Sequence, residues 1–213
     1  MNLHRATILA WLKWNSSSFF DWLAARPWYT QILLEWIAAI PVERGDQGLE
    51  VGCGPGLLTK KVQELGVEMT GLDRSPAMVK RARQNLPECT FVEGNALALP
   101  LDDDVVDVGF AASVVNVVPE PQQLINELTR VVRIGGHVSV LFPTPRLSDD
   151  ADTVAQRRNL TGLSAAALAT WGSQAPKREP AVIEALFEEA GLVDLRIDLY
   201  LDDTVASVTG TVA

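Results

Sequence analysis

The sequence predicts an α/β protein with a mostly parallel sheet, on three observations. From Gly48 onward, short apolar runs alternate with segments whose apolar residues recur at helical spacing, the pattern of strand–helix–strand units. The first run, Leu49-Glu50-Val51, ends in three glycines at alternate positions, Gly52, Gly54 and Gly56, and a helical pattern begins directly behind them. Near the far end Val193, Leu195, Ile197, Leu199 and Leu201 alternate strictly, Asp202-Asp203 makes a turn, and residues 204–212 return as a last strand.

Length and composition bound the function. The 213 residues fill one α/β domain and would cramp a second. Hydrophobic residues make up 47%, enough to build a core. The formal net charge is −9 and the basic residues are scattered, which argues against binding nucleic acid through its phosphates. Cys53 and Cys89 form no C-x-x-C pair, so neither a disulfide nor a metal site is expected. No apolar run approaches the ~18 residues of a membrane span. No small-residue cleavage site follows a long apolar run at the N-terminus, so the expectation is a soluble cytoplasmic protein.

The glycine loop narrows the ligand. Glycine lets a backbone turn sharply and lets a ligand come close, and a strand–glycine loop–helix unit usually holds a nucleotide-like cofactor. Glu50 lies two residues before Gly52 and shares its face of the strand. A carboxylate there repels a pyrophosphate and suits an ammonium group. The spacing is G-x-G-x-G rather than the dinucleotide-binding G-x-G-x-x-G. S-adenosylmethionine, with an adenosine, an α-amino group, a sulfonium and no phosphate, fits this loop better than NAD.

Glu50-Val51-Gly52-Cys53-Gly54-Pro55-Gly56 resembles the first motif of class I S-adenosylmethionine-dependent methyltransferases, and within them the small-molecule type 11 group, which includes ubiquinone/menaquinone-biosynthesis-like enzymes. The resemblance implies a Rossmann-like seven-stranded sheet, mostly parallel with a C-terminal antiparallel hairpin. Helices would cover both faces, with a helical lid at the N-terminus. It also implies a cofactor set of Glu50, Gly52, Cys53, Gly54, Gly56, Asp73, Arg74, Asn95, Ala96, Leu97, Ala111, Ala112 and Ser113. It covers residues 48–143 by motif and 179–213 by pattern.

Residues 1–42 form the expected lid of two or three helices. Leu3, Ile8, Trp11 and Leu12 share a helical face, and Ser16-Ser17-Ser18 offers N-cap hydroxyls to a second helix bearing Phe19, Phe20, Trp22 and Leu23. Pro27 suits the first turn of a third helix carrying Ile32, Leu33, Trp36, Ile37 and Ile40, which stops at Pro41. Five of the six tryptophans lie in this segment. Two readings stand: these rings pack the helices onto the domain, or Phe19, Phe20, Trp22, Trp28 or Tyr29 lines a lid over an apolar acceptor. Contact with a membrane surface is a third, opposed by the scarcity of lysine and arginine.

Residues 48–142 form the cofactor-binding core. Leu58, Val62 and Leu65 give the helix after the loop its buried stripe, and Val67–Asp73 is the second strand. Asp73 lies 17 residues beyond Gly56, where such a unit brings a carboxylate to the ribose hydroxyls. A helix cap is its other reading, although Ser75 suits that role better. Met78, Ala82 and Leu86 mark the next helix, and Cys89–Gly94 the third strand. Asn95–Leu101 resembles the family's G-D-A-x-x-L-P-F segment beside adenine, with Asn95 in place of the usual aspartate. An amide oxygen can still accept from the adenine amine. Asp102-Asp103-Asp104 is read as a solvent-facing loop, since consecutive carboxylates do not converge easily on a cation.

The fourth strand, Asp107–Ala111, runs into Ala112-Ser113-Val114-Val115-Asn116, the segment that meets the reactive methyl by the rule that ligands bind beyond strand carboxyl ends. Asn116 either orients an acceptor or water, or bonds the backbone at a helix start. Leu124, Leu128 and Val131 form a helical stripe. Arg130–Gly136 resembles the family's R-V-L-x-P-G-G turn, followed by a strand from His137 to Phe142. Residues 143–178 break the alternation and suggest a helical insertion, which the resemblance implies completes the substrate pocket; Arg146, Arg157, Arg158 and Trp171 are candidate contacts, and solvated arginines on a lid helix are the other reading. Residues 179–213 supply a closing helix with Val182, Ile183, Leu186, Phe187 and Ala190, then the hairpin.

Transfer of a sulfonium methyl is a direct displacement, and alignment with exclusion of water can lower its barrier by ~7–11 kcal/mol. No acid–base pair stands out: His4 and His137 are the only histidines, and no Ser/His/Asp or Cys/His arrangement is legible. The expectation is therefore methyl transfer to a small molecule, with S-adenosylhomocysteine as product. Two alternatives remain: a protein that binds these nucleosides without transfer, and an NAD-dependent oxidoreductase, which Glu50 and the loop spacing disfavour.

Overall fold

The computed structural model describes residues 3–213, so Met1 and Asn2 of the expected lid lie outside the described residues. Three helices come first, α1 (Leu3–Trp14), α2 (Ser16–Ala24) and α3 (Pro27–Ala38). The alternating core follows: β1 (Gln47–Val51), α4 (Leu57–Gln63), β2 (Glu68–Asp73), α5 (Pro76–Asn85), β3 (Thr90–Glu93), β4 (Val106–Ala112), α6 (Pro121–Val131) and β5 (Val132–Pro143). Two insertion helices, α7 (Arg146–Arg157) and α8 (Gly162–Gln174), precede α9 (Pro180–Glu189), β6 (Leu192–Tyr200) and β7 (Val205–Val212).

The strands form a seven-stranded sheet in the order β3-β2-β1-β4-β5-β7-β6. The pairs from β3 to β5 are parallel, while β7 lies antiparallel to both β5 and β6. This is the sheet the sequence predicts. Because β7 threads between two strands it is buried along nearly its whole length, and its composition, rich in Val and Thr, suits that place.

Alternate residues of each strand feed different cores. On one face α3 and α4 pack Trp36, Ile37, Leu58 and Val62 with Val108, Phe110 and Leu141. On the other, α6 and α9 bring Leu124, Leu128, Ile183 and Phe187 against Val51, Val138 and Val140. Each such buried side chain contributes about 1.5–3 kcal/mol. Trp36 carries a polar group into its core and satisfies it there: Nε1 donates to Ser139 Oγ at 2.8 Å, and Ser139 is 2.7 Å from Thr209 Oγ1.

Several local expectations need correction. Asn15, not a serine, caps α2, its Oδ1 accepting from Ser18 N at 3.1 Å. Leu65 is exposed because α4 ends at Gln63, and Val182 is exposed on the outer side of α9. The strict alternation in β6 does not make one buried face. A bulge between Val193 and Arg196, with Asp194 at φ +51°, adds one residue opposite β7 and leaves Val193 and Leu199 exposed. Instead of a separate turn at Arg130–Gly136, β5 begins at Val132 and bulges between the Val106–Val132 and Val108–His137 pairings. Asp107 holds that bulge. One carboxylate oxygen meets Arg133 Nη1 at 2.8 Å and the other accepts from Gln47 N, at the start of β1, at 2.7 Å.

Candidate active site

The strand order reverses between β1 and β4, and a crevice opens where their carboxyl ends part. A cavity of about 850 Å³ lies there, at the upper end of the range for small-molecule sites, roughly 300–1,000 Å³. The glycine loop, the ends of β2 and β4 and the 94–97 segment wall one half, and α2, α3 and α8 wall the other.

Backbone geometry explains the glycines. At Gly52, φ is +78° and a Cβ would come within 2.3 Å of Val114 Cγ2, so the loop and the segment after β4 touch through a missing side chain. At Gly54, φ is +52° and a Cβ would meet nothing within 4 Å. The backbone there faces open cavity, as close approach by a ligand requires. Gly56 is absent from the cavity wall. It starts α4, and a Cβ on it would meet Leu86 Cδ1 at 2.9 Å.

Two carboxylates flank this loop. Glu50 is 3% exposed, lines the cavity and accepts from Thr59 Oγ1 of α4. Burial pushes its carboxyl up to about 8, with the Thr59 hydrogen bonds pulling the other way and the Asp73 charge adding to the rise. Asp73 braces the loop: Oδ2 accepts from Gly54 N at 2.9 Å and Oδ1 from Ser75 N at 2.8 Å. The cap of α5 is Ser75, whose Oγ accepts from Met78 N at 3.4 Å. Each Asp73 oxygen keeps a second lone pair for a diol. Cys53 and Arg74 also line the cavity, and burial, then Glu50 and Asp73, push the Cys53 thiol well above its ordinary range.

Asn95, Ala96 and Leu97 stand on the same wall. Asn95 Oδ1 already accepts from Leu97 N at 3.0 Å, which closes a small turn and leaves one lone pair over. Arg130 of α6 pins the segment behind it, donating to the carbonyls of Leu99 and Leu101 at 3.2 and 2.9 Å while paired with Glu127 and Asp103. Ala112 and Ser113 line the cavity, but Ala111 faces the core and does not.

The lid half collects aromatic rings. Phe19, Phe20, Trp28, Tyr29 and Trp171 all line the cavity. Burial, then the Glu50 charge, pushes the Tyr29 hydroxyl up to about 12. Trp22 is not brought in. It packs on Trp11 and Phe19 with the Arg26 guanidinium 5.0 Å above its ring. Nor is Arg146, which pairs with Asp150 and Asp203 on the surface. Asn116 is 2% exposed and lines the cavity; its Nδ2 donates to Pro176 O at 3.0 Å, and its Oδ1 is buried with no partner. The backbone reading of Asn116 therefore accounts for half of its amide. Trp28 Nε1 is a second buried group without a partner.

The lid is latched. Asp21 of α2 pairs with Arg81 of α5 and accepts from Asn85 Nδ2 at 3.0 Å, and the same Nδ2 donates to Pro55 O of the glycine loop at 3.1 Å. The sequence reading missed Thr59, and also Thr170 and Gln174 on the lid side. A fully buried threonine between Leu58 and Val62 is the one clue to the first, and nothing in the chain names its partner. Among the described residues, no group of three His, Cys, Asp or Glu could hold a metal, and no helix is long and apolar enough to cross a membrane.

A sheet of this order, with a glycine loop after its first strand and an acid ending its second, defines the class I methyltransferase fold. Residues 49–140 match the family described as a methyltransferase domain. It is 30% identical over 132 residues to the trans-aconitate 2-methyltransferase of Escherichia coli O157:H7, covering 61% of this chain. The chain spans about half the length (51%) of the curated relatives it matches. A Thermotoga maritima S-adenosylmethionine-dependent methyltransferase has the same fold, with TM-score 0.72 at 16% identity over 95% of this chain and 98% of that one. So does one from Mesorhizobium loti, with TM-score 0.67 at 17% identity over 89% and 99%.

Proposed function

We propose that this chain is a single-domain enzyme that transfers the methyl group of S-adenosylmethionine to a small molecule. One observation carries the reading: Glu50, the Gly52–Gly54 backbone and Asp73 converge on one half of a cavity whose other half has room for a second ligand. The residues present fit the nucleoside. A buried carboxyl awaits a cation, an open backbone lies at Gly54, and a carboxylate ends β2.

When bound, S-adenosylmethionine supplies an electrophilic methyl on a sulfonium with a neutral thioether as leaving group. In this assignment Glu50 holds the α-amino group, Asp73 the ribose hydroxyls, and Asn95, Ala96 and Leu97 flank adenine. Ala112 and Ser113 border the methionine part. The lid helices exclude water and hold the acceptor in line, the contribution that direct displacement needs most. The trans-aconitate relatives support a small-molecule acceptor.

Calorimetric titration with S-adenosylhomocysteine, and NAD in parallel, tests the cofactor. One-site binding of the nucleoside thioether alone is expected, and binding of NAD alone would overturn the reading. Mass-spectrometric detection of methylated product then separates an enzyme from a binding protein.

A further inference from the structure

We infer that the acceptor is an uncharged, planar aromatic nitrogen base, such as an azole, seated between the aromatic lid and Asn116. This rests on the methyl-transfer reading above and deepens it.

Charge sets the first limit. Arg74 is the one cation among the described residues that line the cavity, and it stands beside Asp73 at the nucleoside end. The same cavity holds Glu50, and the whole chain carries a formal charge of −9. The protein offers an anionic acceptor no cationic side chain in this half to offset its desolvation cost. The trans-aconitate relatives are named for a polycarboxylate. The lid helices α1–α3 and α7–α8 fall outside residues 49–140, the segment that matches the family model.

Shape and polarity set the second. Phe19, Phe20, Trp28, Tyr29 and Trp171 line the cavity, and stacked or edge-on rings favour a flat apolar guest beyond the area buried. Asn116 lines the cavity; its donation to Pro176 O orients the amide and leaves Oδ1 buried and unpaired. An unpaired buried oxygen is costly until a donor arrives. An N–H on the guest satisfies it.

Chemistry sets the third. No histidine lines the cavity among the described residues, and its two carboxyls are engaged at the nucleoside end by Thr59, Gly54 and Ser75. A neutral hydroxyl would have to shed its proton before attack; a neutral ring nitrogen does not. Its lone pair forms the new bond to the methyl carbon as the carbon–sulfur bond breaks, with that electron pair staying on sulfur. The N-methylated cation then loses its N–H proton to water after release. While it forms, the surrounding ring faces favour its positive charge.

The test is calorimetry on the full chain saturated with S-adenosylhomocysteine, titrated with benzimidazole, phenol and trans-aconitate. Benzimidazole should bind at one site and trans-aconitate should not. Asn116→Ala and, separately, Trp171→Ala should each weaken benzimidazole about tenfold or more while S-adenosylhomocysteine affinity stays as in wild type. With S-adenosylmethionine, benzimidazole should become N-methylbenzimidazole and phenol remain unmethylated. Preference for trans-aconitate, methylation of phenol alone, or absence of benzimidazole binding in a protein that binds S-adenosylhomocysteine would overturn the inference and leave the cofactor reading intact. Absence of S-adenosylhomocysteine binding would take down both.

Discussion

The rings of Tyr29 and Trp171 meet edge to face, 6.3 Å apart and inclined by 70°. Tyr29 belongs to α3 and Trp171 to α8, so this contact joins two lid segments from opposite ends of the chain across the cavity. Tyr29 also feels the charge of Glu50, which places it at the meeting point of lid and glycine loop. Trp171→Ala should therefore raise amide hydrogen exchange in α3 as well as α8, by the roughly 1 kcal/mol such a ring pair contributes. A change confined to α8 would mean that the two segments open independently.

Asp73 has two tasks, and they predict an outcome beyond a lost ligand contact. It accepts from Gly54 N and Ser75 N, so it shapes the loop before any nucleoside arrives. Asp73→Ala removes both charge-assisted bonds, each of about 1.5–3 kcal/mol, and should lower S-adenosylhomocysteine affinity at least about a hundredfold with some loss of melting temperature. Asp73→Asn keeps one oxygen and should sit between. Calorimetry on both variants checks this, and unchanged affinity in the alanine variant would remove Asp73 from the ribose site.

What the sequence makes legible here is what local spacing encodes. Glu50, the glycine loop and Asp73 lie at strand ends whose positions follow from hydrophobic alternation and glycine, and the structure puts Glu50, Gly52, Gly54 and Asp73 on one cavity wall. Gly56 and Ala111 share the motif but not the wall. One relieves a clash with Leu86, and the other points to the core because strand faces alternate. Contacts between distant segments left no trace in the spacing. Thr59 under Glu50, Pro176 behind Asn116, and the Asp21 latch onto Arg81 and Asn85 appear only once helices pack. Arg146 and Trp22 show the converse: residue type alone suggested a ligand contact, and nearer partners claimed them. In β6 a single bulge at Asp194 shifted the phase of a clean alternation.

Trp36 offers a stability test remote from the site. It is fully buried, stands edge-on to Phe110 at 6.0 Å, and donates to Ser139. Trp36→Phe keeps an aromatic ring but leaves a smaller volume and takes one partner from Ser139. The expected cost is about 1–3 kcal/mol, which for a chain of this length lowers the melting temperature by roughly 2–4 °C per kcal/mol. Nucleoside affinity should not change, because Trp36 is not part of the cavity wall.

Glu50 ties stability to ligand through pH. Its carboxyl, held up to about 8 chiefly by burial, is protonated at neutral pH in the ligand-free protein. In the unfolded chain the same group ionises near its ordinary value, 4.5. Between those two values the unfolded state binds fewer protons than the folded state, so this residue makes stability fall as pH rises from about 4.5 to about 8. Above that window its contribution is flat. Glu50→Gln keeps an oxygen for Thr59 without a charge to desolvate, and should stabilise the ligand-free protein at pH 8 relative to wild type. It should also weaken S-adenosylhomocysteine, whose ammonium would lose its counter-charge. In the wild type that ammonium pulls the carboxyl down into its ionised form, so binding at pH 7 should release close to one proton. Titrations in buffers of different ionisation enthalpy measure this directly. Proton release that persists in Glu50→Gln would locate the titrating group elsewhere and detach Glu50 from the α-amino site.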